Sequence, residues 1–220
     1  MKNVFTIRMS IAFVAVLSIF TLQAQGINVP NTPSPAATVS QTLGISKITV
    51  DYSRPSVKGR VIWGDLVPYG WNVQFFGNQK SAPWRAGANE NTIIEFSHEA
   101  KVEGKLVPAG RYGMFFTINQ DDTGEVILSK DNRSWGSFFY ESDNDQLRAP
   151  IKLRSHAMTE LLTYDFINLT KNSADLVLNW ENKQIPVHIE MDVDAIVINN
   201  AQEELKGPVG FKLAGLFFRS

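Results

Sequence analysis

The chain has 220 residues, of which 44% are hydrophobic and 11% aromatic, and its formal net charge is −1. This composition is typical of a globular protein rather than a disordered one. The near-neutral charge, without a long basic run, excludes binding of nucleic acid or anionic lipid through bulk charge. The absence of cysteine excludes disulfides, thiolate metal sites and a cysteine nucleophile.

The N-terminus has the pattern of a secretory signal peptide. Lys2 and Arg8 precede an apolar run over residues 9–22, and Ala24 supplies the small residue that cleavage needs. The run is shorter than the roughly 20 apolar residues that span a bilayer. We predict a signal peptide over residues 1–24, export to the periplasm or the outside of the cell, and no stable membrane anchor after cleavage. An uncleaved anchor helix is the alternative.

Beyond an extended leader over residues 25–35, the dominant hydrophobic period is two, which predicts β-strands. Clear alternations cover residues 48–52, 112–118 and 185–191, and Phe115 on the opposite face predicts a strand buried on both sides. Short strands separated by Gly, Pro, Asn and Asp turns are typical of all-β proteins. We therefore predict an antiparallel β-sandwich or jelly-roll-like domain over residues 36–191.

Three local signals predict how these strands connect. Residues 37–43 form the partner of the strand at 48–52, with Gly44 at the turn. Residues 181–184 have the composition of a hairpin turn between the last two strands. Pro186 cannot donate a hydrogen bond to a neighbouring strand, so we expect its strand to be bulged or at an edge.

Residues 192–220 are predicted to form one short helix and an apolar tail. Hydrophobic positions recur four residues apart after a capping aspartate, and a Gly-Pro pair at residues 207–208 ends the pattern. The tail that follows is rich in Phe and Leu. We expect it to dock on the domain or to meet a protein partner.

Catalytic signatures are absent from the sequence. It has no nucleophile elbow, zinc-binding helix or phosphate-binding glycine loop. Its three histidines are far apart in the chain: His98, His156 and His188. The acidic residues at 141–145 resemble a calcium loop only loosely, because Gln146 stands where a glycine is expected. We predict no catalytic residue, no metal and no cofactor.

The segment WRAGANENT, residues 84–92, has two interpretations. In the first it is a rigid turn, in which Gly87 adopts a positive φ, the asparagines bond nearby backbone groups and Arg85 pairs with Glu90. In the second it is a site for a sugar or another small polar ligand. An aromatic face for stacking and directed polar groups are typical of such sites. The residues concerned are Trp84, Arg85, Asn89, Glu90 and Asn91.

Two other polar-aromatic stretches have similar chemistry. One contributes Arg54, Arg60 and Trp63, and the other contributes Trp135. If these stretches meet WRAGANENT at one end of the sandwich, they form a binding site. We therefore predict a non-catalytic binding module for a small polar ligand, a glycan or a peptide. The alternatives are a protein-interaction domain that uses its edge strands and C-terminal tail, and a carboxylate-dependent hydrolase that uses Glu90.

Five stretches in order carry a family resemblance: ATVSQTLG, ITVDYSRPSVKGRVIWGDLVPYG, WRAGANENTIIEFS, VPAGRYGMFF and SWGSFFY. Together they resemble the exported bacterial family catalogued as domain of unknown function 2911, over about residues 35–191. The resemblance implies a Gram-negative source, a signal peptide and no established activity. Many relatives lack the segment WNVQFFGNQKSAP, residues 71–83, which we expect to shield or extend a site at Trp84 and Arg85.

Overall fold

The structure is a computed structural model that describes residues 33–206. The predicted signal peptide, most of the leader and the apolar tail at 207–220 lie outside the described residues. Within residues 33–206, no helix combines the length and apolar character that crossing a membrane requires.

The described part of the chain contains twelve β-strands, a 3-10 turn and one α-helix. The 3-10 turn covers Ser142–Asn144, and the helix α1 covers Val193–Lys206. The strands are β1 (Ala36–Leu43), β2 (Ser46–Ser53), β3 (Asn72–Val73), β4 (Ser81–Ala82), β5 (Thr92–Phe96), β6 (Ala100–Val102), β7 (Lys105–Val107), β8 (Gly110–Ile118), β9 (Thr123–Ser129), β10 (Asp145–Lys152), β11 (Arg154–Ile167) and β12 (Ser173–Glu190).

The strands form two main sheets that share one hydrophobic core. The first sheet has the order β1-β2-β5-β8-β9-β10 and the second has the order β11-β12-β6-β7, while β3 and β4 form a separate pair. Every paired strand is antiparallel to its neighbour. Val50 and Phe116 of the first sheet belong to the same buried cluster as Leu176 and Trp180 of the second. The predicted antiparallel all-β fold with one short C-terminal helix is confirmed.

The strand β8 is buried on both faces, as its apolar residues on both sides predict. Met114 and Phe116 face the shared core, whereas Phe115 belongs to a second buried cluster with Ala82, Ile127 and Tyr140. Ala82 lies in β4, at the end of the inserted segment 71–83. The insertion therefore covers the outer face of the first sheet at β8 and β9, where exposed apolar side chains would otherwise meet water.

The predicted hairpin turn at residues 181–184 is wrong. These residues lie inside β12, which runs without interruption through the segment. Glu181 has a φ of 52°, a left-handed conformation that disturbs the alternation between Trp180 and Ile185 without reversing the chain. The pairing of β11 with β12 shifts register on both sides of Glu181. The turn between these strands is at residues 168–172 instead.

The prediction for Pro186 agrees with its surroundings. Pairing of β12 with β11 ends at Gln184, and its pairing with β6 begins at Ile189. Pro186 therefore lies in a stretch of β12 between its two regions of pairing. No neighbouring strand needs a backbone N–H there, so a proline is tolerated.

Two residues further along β12, His188 pairs with an acid. Its Nδ1 lies 2.6 Å from Oδ1 of Asp175, and its Nε2 lies 3.5 Å from Oε1 of Glu190. The hydrogen bond to Asp175 is the main reason that the pKa of His188 is raised. Burial pushes the pKa of Asp175 up, but hydrogen bonds from His188 and Asn168 outweigh it and hold the pKa below its usual value. Glu103 also contacts the segment, because its carboxylate accepts the backbone N–H of His188.

This pair makes a testable contribution to stability. Because the folded-state pKa of His188 is raised, its contribution is full below the unfolded pKa of about 6.5 and is lost as the pH rises through the folded value. We expect His188→Gln to lower the free energy of unfolding more at about pH 5.5 than at about pH 8.5, measured by urea denaturation. The control is His156→Gln, whose ring contacts a hydroxyl and a carbonyl group. An equal loss at both pH values would contradict the prediction.

Candidate functional site

The segment 84–92 begins with a residue that is fixed to the sheet. The backbone N–H and carbonyl of Trp84 both hydrogen-bond to Phe116 of β8, each at 2.9 Å. This antiparallel bridge sets the position of the Trp84 side chain relative to the core. The indole ring is half-buried, with one part packed on the sandwich and another part accessible.

The middle of the segment is held by hydrogen bonds from distant strands. The carbonyl of Ala86 accepts from the Tyr164 hydroxyl at 2.9 Å and from the Thr92 hydroxyl at 3.1 Å. Burial raises the pKa of Tyr164 well above its usual value, so this hydroxyl remains a donor over the physiological range. The segment is thus a rigid loop, as its first interpretation predicts.

The predicted positive φ at Gly87 is wrong. Ala86 and Asn89 adopt the left-handed conformation, with φ values of 56° and 61°. Gly87 is required for a different reason, because a Cβ there would lie 2.7 Å from the Thr92 hydroxyl oxygen. The asparagine side chains also bond across the fold rather than locally. Asn89 donates to the carbonyl of Ser34, and Asn91 donates to the carbonyl of Asp131.

The side chain of Arg85 is held in one place by three neighbours. Its Nη1 donates to the carbonyl of Asn89 at 2.7 Å, and its Cζ lies 4.7 Å from the centre of the Phe138 ring. The backbone of Gly136 packs so closely that a Cβ there would overlap the guanidinium. Burial lowers the pKa of Arg85. The cause is the loss of hydration that burial imposes on the charged guanidinium.

Three tryptophans form a cluster behind Arg85. The Trp84 and Trp180 rings are stacked, with centroids 5.9 Å apart and planes 15° apart. The Trp63 ring meets both of them edge-on, at 5.9 Å and 6.0 Å. The indole N–H groups of Trp63 and Trp180 are buried and have no hydrogen-bond partner among the described residues. The cluster provides a stiff aromatic floor at this end of the sandwich.

A cleft of about 480 Å³ opens above this floor. Trp84 and Trp180 line its apolar side, and amide side chains line the part contributed by the insertion and the rigid loop. The amides are those of Asn72, Gln74 and Asn89. The cations that line the cleft are Lys58, Arg60 and Arg85, and none of its described lining residues is an aspartate or a glutamate.

Four of the nine predicted site residues line this cleft. They are Arg60, Trp84, Arg85 and Asn89. Trp63 lies beneath it, in contact with Trp84 and Trp180. The inserted segment contributes Asn72, Gln74, Ala82 and Pro83 to the lining, so it extends the cleft.

The other four predicted residues lie elsewhere. Arg54 joins the end of β2 to β11 by donating to the Leu162 carbonyl and the Thr163 hydroxyl. Glu90 and Asn91 line a different depression, which Asp51 and Arg111 also line. Trp135 is 53% exposed and packs against Phe138. The three polar-aromatic stretches therefore converge only in part.

The lining residues left out of the predicted site include Lys58, Asn72, Gln74 and Trp180. Lys58 lies in the same polar-aromatic stretch as Arg54 and Arg60, so its charge could have placed it among the predicted site residues. Trp180 gave no separate signal, because it continues the apolar alternation of a core strand.

The acidic stretch near residue 141 is occupied by pairs within the protein. Glu141 pairs with Lys80 at 2.6 Å, and Asp145 pairs with Arg148 at 2.5 Å. Among residues 33–206, no group of three or more His, Cys, Asp or Glu side chains is arranged to hold a metal ion.

Comparison with known proteins yields a single assignment. The family model described as "Protein of unknown function (DUF2911)" matches residues 34–189. No curated protein and no solved structure matches the chain significantly. The family match contains β1 to β11 and nearly all of β12, and with them every described strand that lines the cleft. On this evidence the chain belongs to the DUF2911 family.

Proposed function

We propose that this domain is a non-catalytic binding module for a polar ligand such as a glycan or a peptide, and that it works after export, in the periplasm or outside the cell. The observation that carries the proposal is the cleft of about 480 Å³ above the stacked rings of Trp84 and Trp180. This volume is within the range of roughly 300–1,000 Å³ that is usual for small-ligand sites.

The lining chemistry supports polar recognition. Aromatic faces cover the apolar face of a sugar ring or a peptide side chain, while amides donate to and accept from hydroxyl or peptide groups. Asn72 and Gln74 supply such amides from the insertion, and Asn89, whose NH₂ group already donates to Ser34 and Ser53, also lines the cleft. A polar ligand thus finds both kinds of contact within one cleft.

The rigidity of the loop favours binding. Asn89 donates to Ser34 at 3.1 Å and accepts from Arg85 at 2.7 Å, so both groups are in place before a ligand arrives. Binding to a pre-organised site avoids the entropy loss of ordering side chains.

The cleft gives little support to the hydrolase alternative. Glycoside hydrolysis generally requires two carboxyl groups on either side of the scissile bond. The described lining contains no aspartate or glutamate, and Glu90 lines the separate depression. Binding without hydrolysis is the function that this geometry supports best.

The test is a screen of the purified chain against glycan and peptide libraries, followed by calorimetric titration of the strongest binder. We expect Gln74→Ala to weaken that binding by about 2- to 10-fold, the effect of one lost hydrogen bond. The side chain of Gln74 donates a long hydrogen bond, 3.4 Å, to the carbonyl of Asn72, and the loss of this weak bond should cost the fold little.

The matched control is Gln120→Ala, at an exposed turn position outside the cleft. It should leave the affinity unchanged. The proposal fails if neither library yields a binder, or if the two variants have the same affinity as the unmodified chain.

A further inference from the structure

The charge of the cleft is opposite to that of the whole chain. The chain carries a formal net charge of −1, whereas the cleft lining combines Lys58, Arg60 and Arg85 with no acidic residue among its described members. Cations gathered in a concave surface with apolar walls reinforce one another and attract an anion. An acid borders the cleft at Lys58, where Glu160 accepts the backbone N–H of that residue at 2.9 Å.

Arg85 is the cation best prepared to hold an anion. The Phe138 ring, the Gly136 backbone and the Asn89 carbonyl fix its guanidinium, so little side-chain entropy remains to be lost on binding. A guanidinium has five N–H donors, more than one carbonyl can occupy. Burial also lowers the pKa of Arg85, because the charged form loses hydration.

Arg60 is also positioned by its own loop. Its Nε donates to the Val57 carbonyl at 3.1 Å, and its Nη2 donates to the Ser56 carbonyl. These bonds hold the guanidinium against the chain that forms the cleft wall. Lys58, two residues away, has an exposed side chain that also lines the cleft.

The remaining lining indicates what the anion is attached to. Trp84 is half-buried and lines the cleft, and its ring is stacked with the ring of Trp180. Such a surface is suited to the flat C–H face of a sugar, and the amides of Asn72 and Gln74 are suited to its hydroxyl groups. A simple inorganic anion would use none of these contacts.

We propose that the cleft binds an acidic carbohydrate, with its sugar ring on Trp84 and its carboxylate or phosphate group on Arg85, Arg60 and Lys58. This inference rests on the proposed binding function and names the ligand class of the same cleft. Sugar acids and sugar phosphates both carry such an anionic group. The experiment includes one ligand of each kind, so that the two can be distinguished.

The test is calorimetric titration of the whole chain with charged and neutral partners of the same shape. One pair is an α-1,4-linked galacturonic acid tetramer and its full methyl ester. The other pair is glucose 6-phosphate and glucose, with inorganic phosphate alone as a fifth probe. We expect the charged member of at least one pair to bind about ten-fold or more tightly than its neutral partner. This preference should shrink between about 50 and about 300 mM salt.

Variants then assign the preference to the cleft. We expect Arg85→Gln to remove it, and Lys58→Gln, at an exposed side chain, to reduce it without affecting the fold. The control is Arg133→Gln, an exposed cation that lines the other depression. If Arg85→Gln fails to fold, Lys58→Gln and the salt dependence still decide the question.

The failures can be told apart. Equal affinity for charged and neutral partners would overturn the acidic-carbohydrate inference and leave the binding function intact. If inorganic phosphate binds as tightly as glucose 6-phosphate, and the galacturonic acid tetramer binds no more tightly than its ester, the ring contributes nothing and the carbohydrate assignment is overturned. An unchanged preference in Lys58→Gln and Arg85→Gln would place the anion outside this cleft. If no probe here and no member of the two libraries binds, the proposed function fails, and this inference fails with it.

Discussion

Replacing Trp180 with alanine is expected to lower the free energy of unfolding by about 3–5 kcal/mol, the usual cost of removing a buried tryptophan from a core. Trp180 is only 1% exposed and is among the largest fully buried side chains of the described chain. Its ring contacts both other tryptophans of the cluster, so its removal would leave a cavity in the cleft floor itself, next to the core. Urea denaturation followed by fluorescence or circular dichroism measures the loss.

Trp135→Ala is the matched control for this change. Trp135 is 53% exposed and contacts one ring, that of Phe138. Its loss should therefore cost less than about 1 kcal/mol. If the two tryptophan variants have the same stability, Trp180 does not have the packing role described here. A loss for Trp180→Ala below about 1 kcal/mol would lead to the same conclusion.

The fold could be predicted where the alternation of apolar residues is unbroken. In β2, side chains two residues apart face the same side of the sheet, so a run of alternating apolar residues identifies the strand and its buried face. The prediction failed at residues 181–184 because residue types that form turns also occur at a left-handed kink within a strand. Only the pairing partner, here β11, decides between these two structures.

The strand β10 was missed for a related reason. Its apolar residues alternate at Leu147, Ala149 and Ile151, but the segment also contains Pro150 and several charged residues, which argue against a central strand. The structure places β10 at the edge of the six-stranded sheet, where a proline is tolerated. A sequence shows that a proline is present but does not show which strand is at the edge.

The candidate site was predictable only within each loop. Trp84, Arg85 and Asn89 share a rigid loop and reach the same cleft, but Glu90 and Asn91 follow directly and line the other depression. The divergence falls between Asn89 and Glu90, where the loop ends and the chain runs toward β5, and no local sequence pattern marks that position. Which of Arg54, Arg60, Trp63 and Trp135 joins the cleft depends on how distant strands pack, and a local motif does not contain that information.

The contact between the insertion and the rest of the domain can be tested at a glycine. Gly77 has a φ of 80°, and a Cβ there would lie within 3.0 Å of the Phe138 carbonyl oxygen, a distance that real Cβ atoms essentially never show. In Gly77→Ala the backbone must therefore move away from Phe138. The hydrogen bond from the Asn78 N–H to the Phe138 carbonyl, 2.9 Å long, would break together with the packing of Phe76 on Phe138.

Gly70→Ala separates this clash from the strain of the backbone conformation. Gly70 has a φ of 73°, close to that of Gly77, but a Cβ there would meet no atom within 4 Å. Both variants should lose about 1–2 kcal/mol through the left-handed conformation. Gly77→Ala should lose a further 1–3 kcal/mol or so through overlap in a packed contact.

Hydrogen exchange at the Asn78 amide locates the effect. We expect Gly77→Ala to accelerate this exchange strongly, because its acceptor is the carbonyl that the new methyl group displaces. Gly70→Ala should leave the exchange nearly unchanged, since nothing near residue 70 has to move. If the two variants exchange at the same rate, the insertion is not held by its close approach to Phe138. Other contacts would then have to hold the insertion in place as a wall of the cleft, where Asn72 and Gln74 line it.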